Sequence, residues 1–430
     1  MPRSSWPALA ALLLAVPLAA QAPDSALVRR ALRLHRAVPM VDGHNDLSWR
    51  IRARGSDDYT LDAARNPMLS LDSFDLSRVQ PGLMTDIPRL RAGGVGAQFL
   101  STWVPNEVVH NGSARIELEQ IDIVRRLAER YPRDVVLART AAEVVRAHHE
   151  GKIALLIGIE GGHAIENSLP VLRAFYNAGA RYMTLTHNTT LAWADAAMDT
   201  AAHNGLTPFG IEVVHEMNRL GMLVDLAHVS DSVMAQAIRA SAAPVIFSHS
   251  SARAVADHVR NVPDEVLRMV PANGGVVMVN FYCDFVSPAR AQRASARRRY
   301  QLQLRGRPDS AAALATWETA HPEGPRPTIA DVADHIDHIR QVAGIDHVGY
   351  GSDFDGIDCA PEGLEDVSDF PRLTAELLRR GYSDQEVEKV IGLNVLRVLR
   401  DAERVAHRLR QQRGPSTATL FSLDSTGVRQ

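Results

Sequence analysis

Three observations predict an α/β fold, a closed (β/α)8 barrel of the TIM type. Short apolar, β-branched segments alternate with longer amphipathic stretches from about residue 38 to about residue 400, the pattern of βα units around a parallel sheet. Several short segments are near-continuous apolar runs, such as Ile153 to Ile157 and Val276 to Val279, as strands buried on both faces must be. Eight such segments can be counted, which favours a closed barrel over an open sheet. No GxGxxG follows the first of them, so a dinucleotide-binding fold has no support.

Taken in order, strands are expected at 38–46, 95–103, 153–160, 181–187, 222–228, 244–249, 275–281 and 347–353, with helical periodicity at 115–130, 169–178, 210–220 and 231–240. One barrel domain then runs from residue 23 to about 410. Residues 284–327 break the alternation: they are rich in Arg, Ala and Gln and run into the Pro-rich HPEGPRPT. They read as a helical insertion between the last two strands, with Arg297, Arg298 and Arg299 on a solvated face. Residues 411–430 are polar and Ser/Thr-rich and read as a flexible tail.

Ahead of the barrel, Arg3, the apolar run Ala8 to Ala20 and small residues up to Ala22 have the layout of a signal peptide over 1–22. The run is short for a membrane span. No cysteine follows it and the C-terminus is polar, so no membrane anchor beyond the signal peptide is expected. The protein is expected to be exported, to a periplasm or out of the cell.

Composition adds exclusions. The 430 residues are 46% hydrophobic and 23% charged, and 47 basic against 50 acidic side chains leave a net charge of −3. That balance suits a soluble globular protein and points to neither nucleic acid nor an anionic membrane. The two cysteines, Cys283 and Cys359, are too few for a disulfide framework. They read as structural, and the sequence leaves open whether they pair.

The chemistry lies where polar residues punctuate strand ends. His44 and Asp46 stand i, i+2 in DGHND, and an extended chain points both the same way. An imidazole and a carboxylate there suit a divalent metal such as zinc. Glu160 closes an apolar run and would be costly to bury without a metal or a basic partner. His228 ends LVDLAH and His249 ends VIFSH. A lone HxD is a weak signal, and a lone strand-end histidine is more often a satisfied core residue than a ligand. Four strand ends delivering His or carboxylate to one mouth are a set, because active sites of this barrel lie at that C-terminal face. Three His, one Asp and one Glu suffice for two metals if Glu160 bridges them.

Further residues complete the rim. His187 ends LTH, and Asp353 and Asp355 form an acidic pair after the eighth strand, suited to proton acceptance and to support. Arg260, a loop beyond the sixth strand, is placed to grip a carboxylate with two N–H groups. His148 and His149, before the strand at 153, fall at the opposite end of the barrel. His215 lies mid-helix, His335 and His338 read as solvated, and there is no HExxH.

On these residues the chain resembles the membrane (renal) dipeptidases, zinc peptidases with many bacterial members, of which it is expected to be one. The motifs are DGHND (42–46), GIEGG (158–162), LTHN (185–188), WAD (193–195), GMLVDLAH (221–228), FSHSS (247–251), HVRN (258–261) and GSDFDG (351–356). The resemblance covers about Pro39 to about Leu399 and implies a barrel of the metal-dependent hydrolase type holding two Zn²⁺. It implies that His44 and Asp46 bind the first zinc, His228 and His249 the second, and that Glu160 bridges them. His187 would then contact the substrate carbonyl and its oxyanion, Arg260 the C-terminal carboxylate, and Asp353 would handle the proton. The substrate is expected to be a dipeptide, with D-residues tolerated at its C-terminal position, attacked by a hydroxide shared between the zincs. Such proteins commonly dimerise, so a homodimer is a further expectation. Asn188 stands where members often have Cys, and the 284–327 insertion is longer than in the animal enzymes.

Two other readings compete. A two-metal barrel could hydrolyse a cyclic amide, a lactam or a phosphoester instead; many such enzymes carry HxH on the first strand and a carbamylated lysine as bridge, whereas HxD and Glu160 stand here. A non-catalytic binding protein would show a gap among the ligands, and there is none.

Overall fold

The computed structural model describes residues 25–54, 69–108 and 112–424. The segment expected as a signal peptide, and residues 425–430 of the expected tail, fall outside them. Among the described residues nine strands are formed: β1 (Met40–Asp42), β2 (Val95–Trp103), β3 (Val135–Leu137), β4 (Ile153–Glu160), β5 (Ala180–Thr184), β6 (Leu223–Asp225), β7 (Ile246–Phe247), β8 (Val276–Val279) and β9 (Val348–Tyr350). All pair in parallel, and β1-β2-β4-β5-β6-β7-β8-β9 returns to β1, closing the eight-stranded barrel. The sequence reading missed β3, which pairs with the first half of β4 where β5 does not reach.

Alternate residues of each strand enter two apolar clusters, as period two requires. Phe99, Leu156, Tyr182, Leu223, Ile246 and Met278 pack together on one side of the barrel wall. Leu155, Ile157, Met183, Val224, Phe247 and Val277 pack on the other, with the helical layer. Helices Ser113–Arg130, Leu169–Ala178, Pro208–Leu220 and Asp231–Ala240 match the expected ranges closely. The last three begin on Ser168, Thr207 and Ser230, whose side chains accept the N–H three residues on and so satisfy a donor the helix leaves orphaned.

Most strands stop short of their expected C-terminal ends, and two buried carboxylates stand where β1, β5, β6, β7 and β9 do so. Asp225 accepts from Ser248 N at 2.8 Å and Oγ at 2.6 Å, and from Thr184 Oγ1 at 2.5 Å. Asp42 accepts from Ser352 N at 2.7 Å and Oγ at 2.6 Å, and from Gln98 Nε2 at 2.9 Å. Side-chain oxygens thus replace the ladder where the strands splay at the mouth, leaving the residues beyond free to turn inward.

The 284–327 stretch is helical, with helices Pro288–Leu304 and Ser310–Ala320. A disulfide joins Cys283 at its base to Cys359 in the loop after β9, answering the question the sequence left open. Two expectations need correction. His335 is buried, not solvated: its ring accepts Ala252 N–H at 3.0 Å and donates to the Val286 carbonyl at 3.0 Å. The tail does not hang free from 411, because Asp424 caps helix Pro208–Leu220 through Thr207 Oγ1 (2.6 Å) and Phe209 N (2.9 Å), and Arg413 pairs with Glu212 at 3.0 Å.

Candidate active site

The C-terminal ends of the strands bring His44, Asp46, Glu160, His187, His228, His249 and Asp353 to one mouth. Only Glu160 lies within a strand; the others follow β1, β5, β6, β7 and β9. Sequence reasoning placed His44 and Asp46 in an extended chain, but β1 ends at Asp42 and Asp46 is already the N-cap of helix Leu47–Arg52. They still meet, because Gly43 N and Asp46 N donate to Tyr350 O and Phe354 O at 2.9 Å each and stitch the loop to β9. Gly356 completes the fit: a Cβ there would stand 2.1 Å from Asp46 Oδ2 and 2.9 Å from Asp353 Oδ1.

The two oxygens of Glu160 face different partners. Oε2 lies 3.6 Å from His44 Nε2, while Oε1 lies 2.9 Å from His228 Nε2, 3.5 Å from His249 Nε2 and 3.9 Å from His187 Nε2. His44 Nε2 is 3.3 Å from Asp46 Oδ2 and 3.9 Å from Asp353 Oδ1. Three overlapping donor sets result, each with atoms within 4.8 Å of one another: His44, Glu160 and His249; Glu160, His187 and His228; His44, Asp46 and Asp353.

Hydrogen bonds behind the rings decide what the front atoms offer. His228 Nδ1 is 3.0 Å from Asn188 Oδ1, an acceptor, so Nδ1 carries the proton and Nε2 a lone pair. His249 Nδ1 is 2.8 Å from Ser248 Oγ, whose own proton goes to Asp225, so its Nε2 is also a lone pair. These two Nε2 atoms face each other at 2.9 Å, with Glu160 Oε1 beside them. Lone pairs so placed repel unless a cation lies among them. His44 is held through Nδ1 by Tyr182 OH at 2.8 Å, and its buried Nε2 has no hydrogen-bond partner among the described residues. Imidazole and carboxylate donors, backed by outer hydrogen bonds, fit a borderline divalent metal such as zinc.

The electrostatics agree for three of the four rings. Burial, followed by neighbouring positive charges that include Arg260, holds His228, His249 and His187 well below the usual histidine range, and a neutral ring is the form that binds metal. Burial also acts to lower His44, but Tyr182, Glu160 and Asp46 outweigh it and raise it. Burial pushes Asp353 up to about 8, and Asn280 Nδ2 donates to its Oδ2 at 2.9 Å. His228 and Asp353 adopt left-handed backbone, φ 66° and 67°, a conformation non-glycine residues keep mainly where the surroundings impose it.

Arg260 is 2% exposed, and its Nε and Nη1 have no hydrogen-bond partner among the described residues. Its guanidinium lies over the Phe285 ring at 5.2 Å. Such a cation is suited to an incoming carboxylate. Asp355 instead turns away, accepting Met84 N–H at 2.7 Å, and supports the loop rather than the cluster. Sequence reasoning missed the outer residues Tyr182, Ser248, Asp225, Asn280 and Trp103; Asn188, Asp225 and Ser248 stood inside recognised motifs, but Tyr182, Asn280 and Trp103 carried no motif signal.

Comparisons with known proteins agree with this geometry. The sequence profile of the membrane dipeptidase family (peptidase family M19) matches residues 28–413. The chain is 40% identical over 390 residues to dipeptidase 3 of Rattus norvegicus, covering 90% of this chain and 69% of that protein. It is 40% identical over 393 residues to dipeptidase verJ of Clonostachys rogersoniana, covering 89% of each. A metallo peptidase of Rhodobacter sphaeroides, solved with a phosphinate mimic of the dipeptide L-Ala-D-Ala, superposes with a TM-score of 0.66 at 25% identity, over 85% of this chain and 99% of that one. A match over nearly the whole chain, on a closed parallel barrel with side chains able to hold a metal at its mouth, establishes that the protein belongs to the membrane dipeptidase family of metallopeptidases.

Proposed function

We propose that the protein is a two-zinc dipeptidase that hydrolyses the peptide bond of dipeptides, including those with a C-terminal D-residue. The observation that carries this reading is the pair of facing Nε2 lone pairs on His228 and His249, with Glu160 reaching from them to His44. His44 and Asp46 would hold one zinc, His228 and His249 the other, with Glu160 between. Bound there, the metals would supply an acidified water and a Lewis acid for the carbonyl.

The chain's own residues do the rest. Arg260 binds the C-terminal carboxylate of the substrate and sets its register. His187 donates a hydrogen bond to the carbonyl oxygen as negative charge builds. Asp353, held through Oδ2 by Asn280, uses Oδ1 to take the proton of the attacking water and return it to the leaving amine. A longer peptide would put a neutral amide against Arg260 and leave a buried charge unpaired. The phosphinate mimic of L-Ala-D-Ala bound by the Rhodobacter protein supports a D-residue at the C-terminal position. The Cys283–Cys359 disulfide supports export to an oxidising compartment, and no helix among the described residues is long and apolar enough to cross a membrane.

The test uses the chain lacking residues 1–22, assayed on L,L- and L,D-dipeptides and on tripeptides before and after chelation, with metal content read on the same sample. Two zincs per chain, dipeptide-only cleavage and its loss on chelation are expected, with His228→Ala losing metal and activity. Tight zinc without dipeptide cleavage refutes the dipeptidase in favour of another amide hydrolase.

A further inference from the structure

Strand β2 adds no residue to the three metal-donor sets, although Ser101 Oγ donates to Glu160 Oε2 at 3.2 Å, and its last residue is held against the cluster. Trp103 pairs in register with Glu160. Its ring stands edge-on to Trp49 at 4.7 Å, and its backbone N–H donates to Gln120 Oε1 at 3.1 Å. From there the indole Nε1 lies 3.1 Å from His187 Nδ1. An indole N–H can only donate, so His187 Nδ1 must accept, and in the neutral ring the proton then sits on Nε2.

That tautomer is the reverse of the one fixed in His228 and His249. Distance alone does not separate the three rings: His187 Nε2 belongs to the donor set with Glu160 and His228. What separates them is the chemistry behind each ring, an acceptor for His228 and His249 and a donor for His187. A hydroxyl in place of the indole could turn to accept; the indole closes that choice.

We infer that Trp103 is a positioning residue that keeps His187 a hydrogen-bond donor toward the substrate and bars it from becoming a further metal ligand. The substrate half of this statement rests on the dipeptidase reading; the tautomer half does not.

Trp103→Phe keeps an aromatic ring against Trp49 and removes the indole donor, and Asn106→Ala in the same variant removes the amide whose Nδ2 lies 3.4 Å from His187 Nδ1. The zinc-loaded wild type and the variant, both with ¹⁵N-labelled histidine, are compared by long-range ¹H–¹⁵N NMR, with His187→Gln identifying the resonance. The wild type is expected to show His187 protonated on Nε2 and bare on Nδ1. In the variant Nε2 should lose its proton in part or wholly, and kcat should fall by about 10²-fold, the loss of one oxyanion donor, with KM changed less than about threefold. A wild-type His187 protonated on Nδ1 overturns the inference, and that spectrum decides even if the variant does not fold. A variant that keeps the Nε2 proton and full kcat overturns it too. A wild type with the expected tautomer that cleaves no dipeptide supports the Trp103 assignment and refutes the dipeptidase reading instead.

Discussion

Replacing Arg260 by methionine separates binding from stability, because the two should move in opposite directions. The guanidinium is buried, and Nε and Nη1 lack hydrogen-bond partners among the described residues. Burial lowers its pKa from the ordinary arginine range to about 10, although Asp353, Glu160 and Asp225 favour the charged form. At about 1.4 kcal/mol for each tenfold change in proton affinity, holding it charged costs about 3 kcal/mol. The sign follows from linkage: a base with a depressed folded pKa destabilises fully below that pKa and is relieved only as pH rises above about 10 toward the ordinary arginine range. At pH 7 the whole cost is therefore present.

Methionine removes that charge and fills much of the same volume, but loses the contact with Phe285, worth about 0.5–2 kcal/mol. A net gain of about 1–2 kcal/mol is expected, seen as a melting temperature a few degrees higher in metal-loaded, peptide-free protein. Binding should suffer. Losing one charge-assisted hydrogen-bond pair to the substrate carboxylate, about 1.5–3 kcal/mol per bond, should raise KM by about 10²-fold or more. The assay pairs thermal unfolding at pH 7 with steady-state kinetics on a dipeptide and on its C-terminal amide. Wild type should prefer the acid strongly, and the variant should discriminate little. A variant that melts lower and keeps its preference for the acid would show that Arg260 is a satisfied structural cation.

Other outcomes can be checked alongside. Gly158→Ala would drive a Cβ to within 2.0 Å of Tyr182 Cζ, so overpacking should cost about 1–3 kcal/mol. Moving the phenol off His44 Nδ1 should also weaken metal binding about 10–100-fold, read by competition with a chelating dye. Burial holds His335 at about 4 against an ordinary 6.5, so the unfolded chain binds the extra proton and stability falls as pH drops from about 6.5 to 4. His335→Gln should flatten that slope in denaturant titrations; an unchanged slope would exclude His335 as its source. The Cys283–Cys359 bridge closes a separation of 76 residues, so the double Ser variant should lose about 2–5 kcal/mol and should not respond to reductant.

Much of the site was legible because a parallel barrel obliges strand ends to converge. Each of His44, Glu160, His187, His228, His249 and Asp353 follows or closes an apolar run, and closure brings those ends to one mouth whatever the loops do. The groups behind them were not legible. Tyr182 looks like any strand aromatic, and Trp103 like core. Their roles depend on which ring nitrogen they meet, a matter of ångströms between strands far apart in sequence.

His335 shows the same limit from the other side. Its helical spacing suggested a solvated face, yet the insertion at its flank buries it and supplies the Val286 carbonyl. The Cys283–Cys359 pair likewise needed the fold, since two strand-to-helix loops must approach before two thiols can meet.

The sequence by itself determined the alternation of strand and helix, the closed barrel and the residue types at its mouth, because period and burial are local properties of the chain. Tertiary structure alone decided the tautomers of His187, His228 and His249, the burial of Arg260 with Nε and Nη1 unpartnered among the described residues, and the early strand ends at Asp42 and Asp225. Those depend on hydrogen bonds between residues up to 310 positions apart, and a linear pattern holds no record of such distances.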